Sequence, residues 1–108
     1  MIANRACARF GVDYWELQPS AKVGIARNVK IAEVVHGLRH PPAGDTTGWY
    51  IWSGELEASA DFFIPLHHVH LDEWRPDVRR FLAMPPGWRF LVARDYEDVW
   101  FDESLLHD

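Results

Sequence analysis

The sequence predicts an α+β domain built on a mainly antiparallel sheet with one clear helix. At 108 residues the chain is long enough to bury one compact core but too short for two. Short segments rich in β-branched and aromatic residues recur between turn residues, as is typical of strands. Residues 76–83 give the clearest helix signal, a proline start followed by apolar positions at helical spacing. We therefore expect residues 1–108 to form a single domain, with residues 1–22 as a less certain N-terminal extension.

Two strands are expected between residues 23 and 39. β-branched residues recur along this segment, at Val23, Ile25, Val29, Ile31, Val34 and Val35. The run is interrupted at Arg27-Asn28, which favours a turn near Asn28, and Gly37 ends it. A helix over residues 29–36 is a competing interpretation. The first 22 residues give no comparable signal, because their apolar side chains are spaced neither at two nor at 3.6 residues.

A polar loop over residues 40–48 leads into a strand over residues 49–52. Tyr50 and Trp52 are expected on one face of this strand, and Trp49 and Ile51 on the other. Both faces are therefore apolar, which predicts a central strand covered on both sides, or one with a covered side and a binding side. Gly48 follows turn residues, where a positive φ angle is tolerated best by glycine. We expect Gly48 and Trp49 to serve the structure first, with Trp49 buried beneath the sheet.

The second half of the chain is expected to contain an extended segment, the helix and a hairpin. Residues 55–61 are expected to form a short helical turn, and residues 62–71 an extended segment. The helix begins at Pro76, and Pro85-Pro86-Gly87 ends it. Trp88, Phe90 and Val92 alternate with their neighbours as in a strand, and residues 95–98 are expected to turn the chain into a second strand over residues 99–101.

Tryptophan is unusually frequent, with six residues beside six phenylalanines and three tyrosines. Most of these side chains are expected to fill the core, because each buries a large apolar area in a small domain. The alternative is that one or two tryptophans lie on a partner-binding face, where this residue is enriched. The six positions are Trp15, Trp49, Trp52, Trp74, Trp88 and Trp100.

The composition favours a soluble, cytoplasmic protein. Cys7 is the only cysteine, so no intramolecular disulfide forms and a reducing compartment is the simplest expectation. Residues 1–18 carry charges throughout and lack the apolar region of a signal peptide. No apolar run approaches the roughly 18 residues that a membrane span requires.

The net charge of −5 is concentrated at the C-terminal end. Residues 1–94 contain eleven basic and ten acidic side chains, whereas residues 95–108 contain six acidic and no basic ones. An acidic end repels nucleic acid and suits a basic partner. The alternative is that these carboxylates are solvated and only aid solubility.

The histidines provide the best argument for an enzyme or a metal site. In an extended segment His68 and His70 would point to the same face, joined by Asp72 if the strand continues. Two imidazoles and a carboxylate form a known transition-metal grouping. However, the pattern is short, and structural histidines are the more frequent outcome. The carboxylate groups Glu55 with Glu57, and Asp95 with Glu97 and Asp98, are expected to be solvated turn residues rather than acid–base catalysts.

The segment from Asp45 to Glu55 carries a resemblance to a known family. Asp45-Thr46-Thr47-Gly48-Trp49 is followed by a strand and then by Gly54-Glu55. Together with the Pro76-started helix and the aromatic strand after Gly87, this pattern resembles the bacterial immunity protein family thirty-three. The resemblance covers residues 23–94, and its Gly-Trp and Gly-Glu elements are its most specific parts.

The resemblance implies a small protein that neutralises a bacterial toxin by stoichiometric binding, without catalysis and without a cofactor. Gly48, Trp49, Trp52 and Gly54 are then the structural motif. The candidates for contact with a protein partner, a basic toxin, are Asp45, Thr47 and Glu55 at the two ends of the motif strand, and Asp95, Glu97, Asp98 and Asp102. The oligomeric state stays open between monomer and dimer. The alternatives are a metal-binding or enzymatic accessory protein that uses the region from His67 to His70, and a scaffold subunit.

Overall fold

The computed structural model describes residues 11, 15, 17–18, 20–56 and 61–107. Within these residues, six strands form one sheet in the order β4-β1-β3-β2-β5-β6. The strands are β1 (Lys22–Ala26), β2 (Val35–Arg39), β3 (Thr46–Trp52), β4 (Phe63–His67), β5 (Trp88–Ala93) and β6 (Tyr96–Phe101). Four short 3₁₀ helices accompany them, η1 (Arg27–Val29), η2 (His68–Glu73), η3 (Pro76–Phe81) and η4 (Glu103–Leu106). Cys7 and Glu57 lie outside the described residues, as does most of the expected N-terminal extension.

The sheet is mainly antiparallel, as predicted. In the described part of the chain β1 pairs with β3 in parallel, and the other four pairings are antiparallel. The two strands expected between residues 23 and 39 are present, but they do not pair with each other, because β3 lies between them. The competing helix over residues 29–36 does not form. Asn28 instead exchanges two side-chain hydrogen bonds with the backbone of Ser53, which fixes the end of β3 beside η1.

The central strand β3 has two apolar faces, which confirms the predicted alternation. Trp49 and Ile51 enter the main core, together with apolar side chains from η2, η3 and residues 82–84. We call this side of the sheet the core face. Trp52 and Tyr50 point to the opposite side, where they join Ala26, Leu38, Phe62, Phe63 and Leu105 in a second, smaller cluster. We call this side the open face, because among the described residues only short segments pack on it.

The predicted helix over residues 76–83 is shorter and tighter than expected. It begins at Pro76 but is a 3₁₀ helix that ends at Phe81. Val78 and Phe81 are both buried, and their spacing of three residues matches the three residues per turn of a 3₁₀ helix. Beyond it, the carbonyls of Leu82 and Met84 accept hydrogen bonds from side chains of the sheet instead of continuing a helical ladder.

The C-terminal hairpin is present, with a boundary that differs from the prediction. Ala93 pairs with Tyr96 across a turn of only two residues, Arg94 and Asp95. The second strand therefore begins at residue 96 rather than 99, so that Glu97 and Asp98 are strand residues. The expected extended segment over residues 62–71 is a strand only as far as His67. In the described residues no helix has the length and apolar character needed to cross a lipid bilayer.

The buried side chain of Arg39 connects three separate parts of the chain. Only 2% of its surface is exposed. Its Nε donates to the carbonyl of Thr47 at 2.8 Å, and its Nη1 donates to the carbonyls of Met84 at 2.7 Å and Leu82 at 3.3 Å. A buried guanidinium needs such acceptors, since removing it from water without hydrogen bonds is costly. The interaction therefore ties the end of β2 to the start of β3 and to the segment after η3.

Trp49 strengthens the same connection from the central strand. Its indole N–H donates to the carbonyl of Leu82 at 2.8 Å, and its ring centre lies 5.8 Å from the Arg39 guanidinium carbon. The side chain is 1% exposed, as predicted for this position. The hydrogen bonds of Arg39 and Trp49 thus meet at one acceptor, and we call this arrangement the Arg39 clasp.

Gly48 allows the backbone of β2 to approach the start of β3. Its φ angle is +91°, the left-handed region predicted from its turn context. A Cβ atom at this position would lie 1.9 Å from the carbonyl oxygen of His40. His40 also donates its backbone N–H to the carbonyl of Gly48 at 2.9 Å. No side chain fits between the two strands here, so Gly48 is required by the packing as well as by its φ angle.

We expect Gly48→Ala to lower the free energy of unfolding by about 3 kcal/mol or more, because it combines backbone strain with a clash against backbone atoms. Gly44→Ala is the matched control. Gly44 also has a positive φ angle, +60°, but a Cβ atom there would meet nothing within 4 Å. The control should cost only about 1 kcal/mol. Denaturant unfolding of both variants measures the difference, and equal losses would show that the close approach to His40 does not matter.

Candidate functional site

The predicted binding residues around the motif strand do not come together. Asp45 is exposed before the start of β3, and Glu55 is exposed beyond its end. The strand between them is about 20 Å long at the usual rise per residue. Asp45 forms an ion pair with Lys22 at 2.9 Å, and this hydrogen bond lowers the pKa of its carboxyl. Thr47 is 2% exposed, and its hydroxyl oxygen accepts the backbone N–H of Trp49, so its side chain lies inside the structure.

The acidic residues near the C-terminal end divide into two groups. Glu97 forms an ion pair with Arg80 of η3 at 3.0 Å. Asp102 accepts hydrogen bonds from the backbone N–H and hydroxyl of Ser104, at 3.1 and 2.6 Å, and thereby caps η4. These bonds, together with Arg89 at 3.0 Å, hold the pKa of Asp102 below its ordinary range. Glu97 and Asp102 therefore take part in internal contacts.

Asp95 and Asp98 form the second group, and both are exposed. Asp95 occupies the hairpin turn. Asp98 of β6 lies directly across from Leu91 of β5. Leu91 lies across from His36 of β2, and His36 lies across from Trp52 of β3. Side chains that lie directly across adjacent strands share a face of the sheet. Asp98 therefore belongs to the open face.

The extended conformation expected for the histidine segment is not observed. His68 and His70 were expected on one face of an extended segment, but both lie in the 3₁₀ helix η2, where residues two apart point in different directions. The Nε2 of His68 lies 2.8 Å from the carbonyl of Gln18, and burial lowers the pKa of this imidazole from its ordinary value. Asp72 accepts a hydrogen bond from Arg79 at 2.7 Å. Among the described residues, no three histidine, cysteine or acidic side chains converge as they would around a metal ion.

A cavity of about 450 Å³ opens beside the motif loop. Trp15, Gln18 and Pro42 line it, together with Arg39 at the end of β2 and Thr47 in β3. The Trp15 ring is 42% exposed and its centre lies 5.6 Å from the guanidinium carbon of Arg39. Sequence reasoning did not identify this cavity or the role of Arg39. The available signal was a charged residue, Arg39, at the end of a strand whose neighbouring positions Gly37 and Leu38 are buried.

A smaller apolar groove lies in the open face. Its volume is about 220 Å³, and it is lined by Leu38, His40, Tyr50, Trp52, Leu56 and Phe63. We call it the aromatic groove. Aromatic contacts hold its walls, with ring centres 5.1 Å apart for Tyr50 and Phe63 and 6.2 Å apart for Trp52 and Phe63. Leu56 projects at the rim with 55% of its surface exposed. The sequence did not reveal the groove because its walls come from segments that are distant along the chain.

One polar contact and one ring stack fix the surroundings of the groove. The Nδ1 of His40 lies 3.2 Å from the carbonyl of Leu105, which connects the groove to η4. His36 stacks on Trp52 with ring centres 5.3 Å apart. Burial, with the Arg89 guanidinium as the second cause, lowers the pKa of His36. The arrangement is an apolar depression with polar groups at its edge, as in many protein interfaces.

The comparisons with known proteins identify the family. A family model described as the Imm33-like domain matches residues 3–102. No curated protein and no solved structure matches the chain. The matched range includes all six strands of the sheet and the motif from Asp45 to Glu55, on which the resemblance to the immunity family rested. Because the match extends over nearly the whole chain, this protein belongs to the Imm33-like family.

Proposed function

We propose that this protein neutralises a bacterial protein toxin by binding it stoichiometrically. The binding takes place in the cytoplasm of the bacterium that produces this protein. The observation that carries the proposal is the match of residues 3–102 to the Imm33-like domain. Immunity of this kind requires a complementary surface and neither a cofactor nor a catalytic group. The partner is a protein, and nucleic acid is disfavoured by the net charge of −5.

The charge distribution supports a basic partner. Asp95 and Asp98 present exposed carboxylates at the hairpin, and Glu55 presents another beyond the end of β3. The carboxylates of Glu97 and Asp102 are balanced by Arg80 and Arg89. Exposed carboxylates attract a positively charged surface over several ångströms and raise the association rate. Within the predicted set of contact residues, we therefore favour Glu55, Asp95 and Asp98, with Asp45 as a more distant candidate.

We prefer this proposal to the alternative of a metal-binding or enzymatic accessory protein that uses the region from His67 to His70. His68 is engaged with the backbone of Gln18, and Asp72 with Arg79. His70 is exposed on a different side of η2 and lies 4.0 Å from Glu73. These contacts stabilise the helix and its attachment to the sheet. They support a structural use of this region.

Titration against the toxin tests stoichiometric binding. The partner is captured from the native bacterium, identified by mass spectrometry and purified. The residual toxin activity should fall linearly with added protein and reach its minimum near a one-to-one ratio, because each bound copy blocks one toxin molecule. Calorimetry of the same pair should give the same ratio. Complete neutralisation at a hundredfold lower ratio would contradict the proposal, since it would require turnover.

We expect Asp98→Lys to slow association with the toxin by roughly tenfold at low salt, with little change in dissociation or stability, because an exposed charge acts mainly on the encounter. Glu73→Lys is the matched control, since its carboxylate is exposed on η2. Stopped-flow association rates measured against ionic strength should show the difference shrinking as salt rises. If Asp98→Lys and Glu73→Lys changed the association rate equally, or if neither changed it, Asp98 would not belong to the binding surface.

A further inference from the structure

We propose that the aromatic groove of the open face receives one large apolar side chain from the toxin, and that basic residues of the toxin surround this anchor. This inference rests on the proposed function and specifies the surface and the chemistry of the partner. It goes beyond the predicted contact residues, since none of Asp45, Thr47, Glu55, Asp95, Glu97, Asp98 and Asp102 lines the groove.

The size of the groove favours a side chain over a small molecule. Its volume of about 220 Å³ lies below the range of roughly 300–1,000 Å³ that is typical of sites for small ligands. A single phenylalanine, tryptophan or leucine side chain is an appropriate occupant. Protein interfaces commonly place such an anchor in a preformed apolar pocket near the centre of the contact.

The walls of the groove are held in place before any partner binds. Trp52 is 4% exposed, and its indole N–H donates to the carbonyl of Gly54 at 3.1 Å. Phe63 contacts the rings of Tyr50, Trp52 and Phe62. A preformed pocket loses little side-chain freedom when it is filled, which favours affinity.

The charges around the groove select among occupants. Glu55 precedes the rim residue Leu56, Asp98 lies on the same face, and Glu103 is exposed on η4. On this face Lys22 forms an ion pair with Asp45, and Arg89 forms one with Asp102. A second copy of the chain would bring the exposed carboxylates of this face together, which is unfavourable, whereas a basic protein surface is complementary.

Leu56 is the residue through which the groove can be tested without harming the fold. Because more than half of its surface is exposed, Leu56→Asn should leave the free energy of unfolding nearly unchanged. Ile31→Asn is the matched control, since Ile31 is 95% exposed in the loop between η1 and β2 and does not line the groove.

The first experiment uses defined peptides, so it does not depend on the toxin. One heptapeptide is lysine- and arginine-rich with a central phenylalanine, the second has alanine at the centre, and the third places phenylalanine among acidic residues. Binding is followed through the NMR signals of the Trp52 indole and the Leu56 amide. The basic phenylalanine peptide should shift both signals saturably. The alanine peptide and the acidic peptide should each bind more weakly, by roughly tenfold or more. Leu56→Asn should weaken binding roughly fivefold, and Ile31→Asn should not.

Equal binding of the alanine peptide, equal binding of the acidic peptide, or shifts confined to another surface would overturn the inference. So would a dimer in sedimentation analysis that Leu56→Asn dissociates, because the occupant would then be a second copy of the chain. The same variants tested against the captured toxin separate the two proposals. A toxin that binds the parent and Leu56→Asn equally would refute the groove while leaving stoichiometric neutralisation intact. Peptide binding in the groove without any toxin inhibition would support the groove and refute the proposed function.

Discussion

The buried guanidinium of Arg39 is the interaction on which the rest of this structure depends. It donates to backbone carbonyls from the start of β3 and from the segment after η3, and Trp49 donates to one of the same carbonyls. Lysine could not replace it, because a single ammonium group lacks the planar set of donors that reaches separate acceptors. Gly48 serves the same arrangement, since its lack of a side chain allows β2 and β3 to approach. Gly48 and Trp49 thus serve the architecture of the sheet.

The two faces of the sheet differ in how much apolar surface they bury. The core face buries Trp49, Ile51 and Phe90 under η2, η3 and residues 82–84, and it supplies most of the apolar burial. The open face is left with a smaller cluster around Trp52 and with the aromatic groove. The core side holds β3 in place, and its other side carries this smaller cluster while leaving Tyr50 and Phe63 only half-buried. A rigid surface of this kind is well suited to recognising a protein partner.

The structural features that the sequence predicted correctly are those that local patterns determine. The alternation of Trp49 and Ile51 with Tyr50 and Trp52, the positive φ angle of Gly48 and the C-terminal hairpin all follow from spacing or turn chemistry. It did not predict the insertion of β3 between β1 and β2, because pairing between distant strands leaves no local signal. Periodicity also placed His68 and His70 on one face, whereas the chain turns into η2 at His68. The aromatic groove and the clasp could not be found from spacing, since both join residues that are distant along the chain.

The most direct test of this account is the free energy of unfolding of Arg39→Lys, measured by denaturant titration beside the exposed control Arg27→Lys. The account predicts that Arg39→Lys loses about 3 kcal/mol or more, because buried carbonyls lose their donors while a charge remains in the interior. The control should stay within about 0.5 kcal/mol of the parent protein. If Arg39→Lys were as stable as the control, the clasp would not hold the sheet to the segment after η3, and the architectural explanation of Gly48 and Trp49 would be wrong.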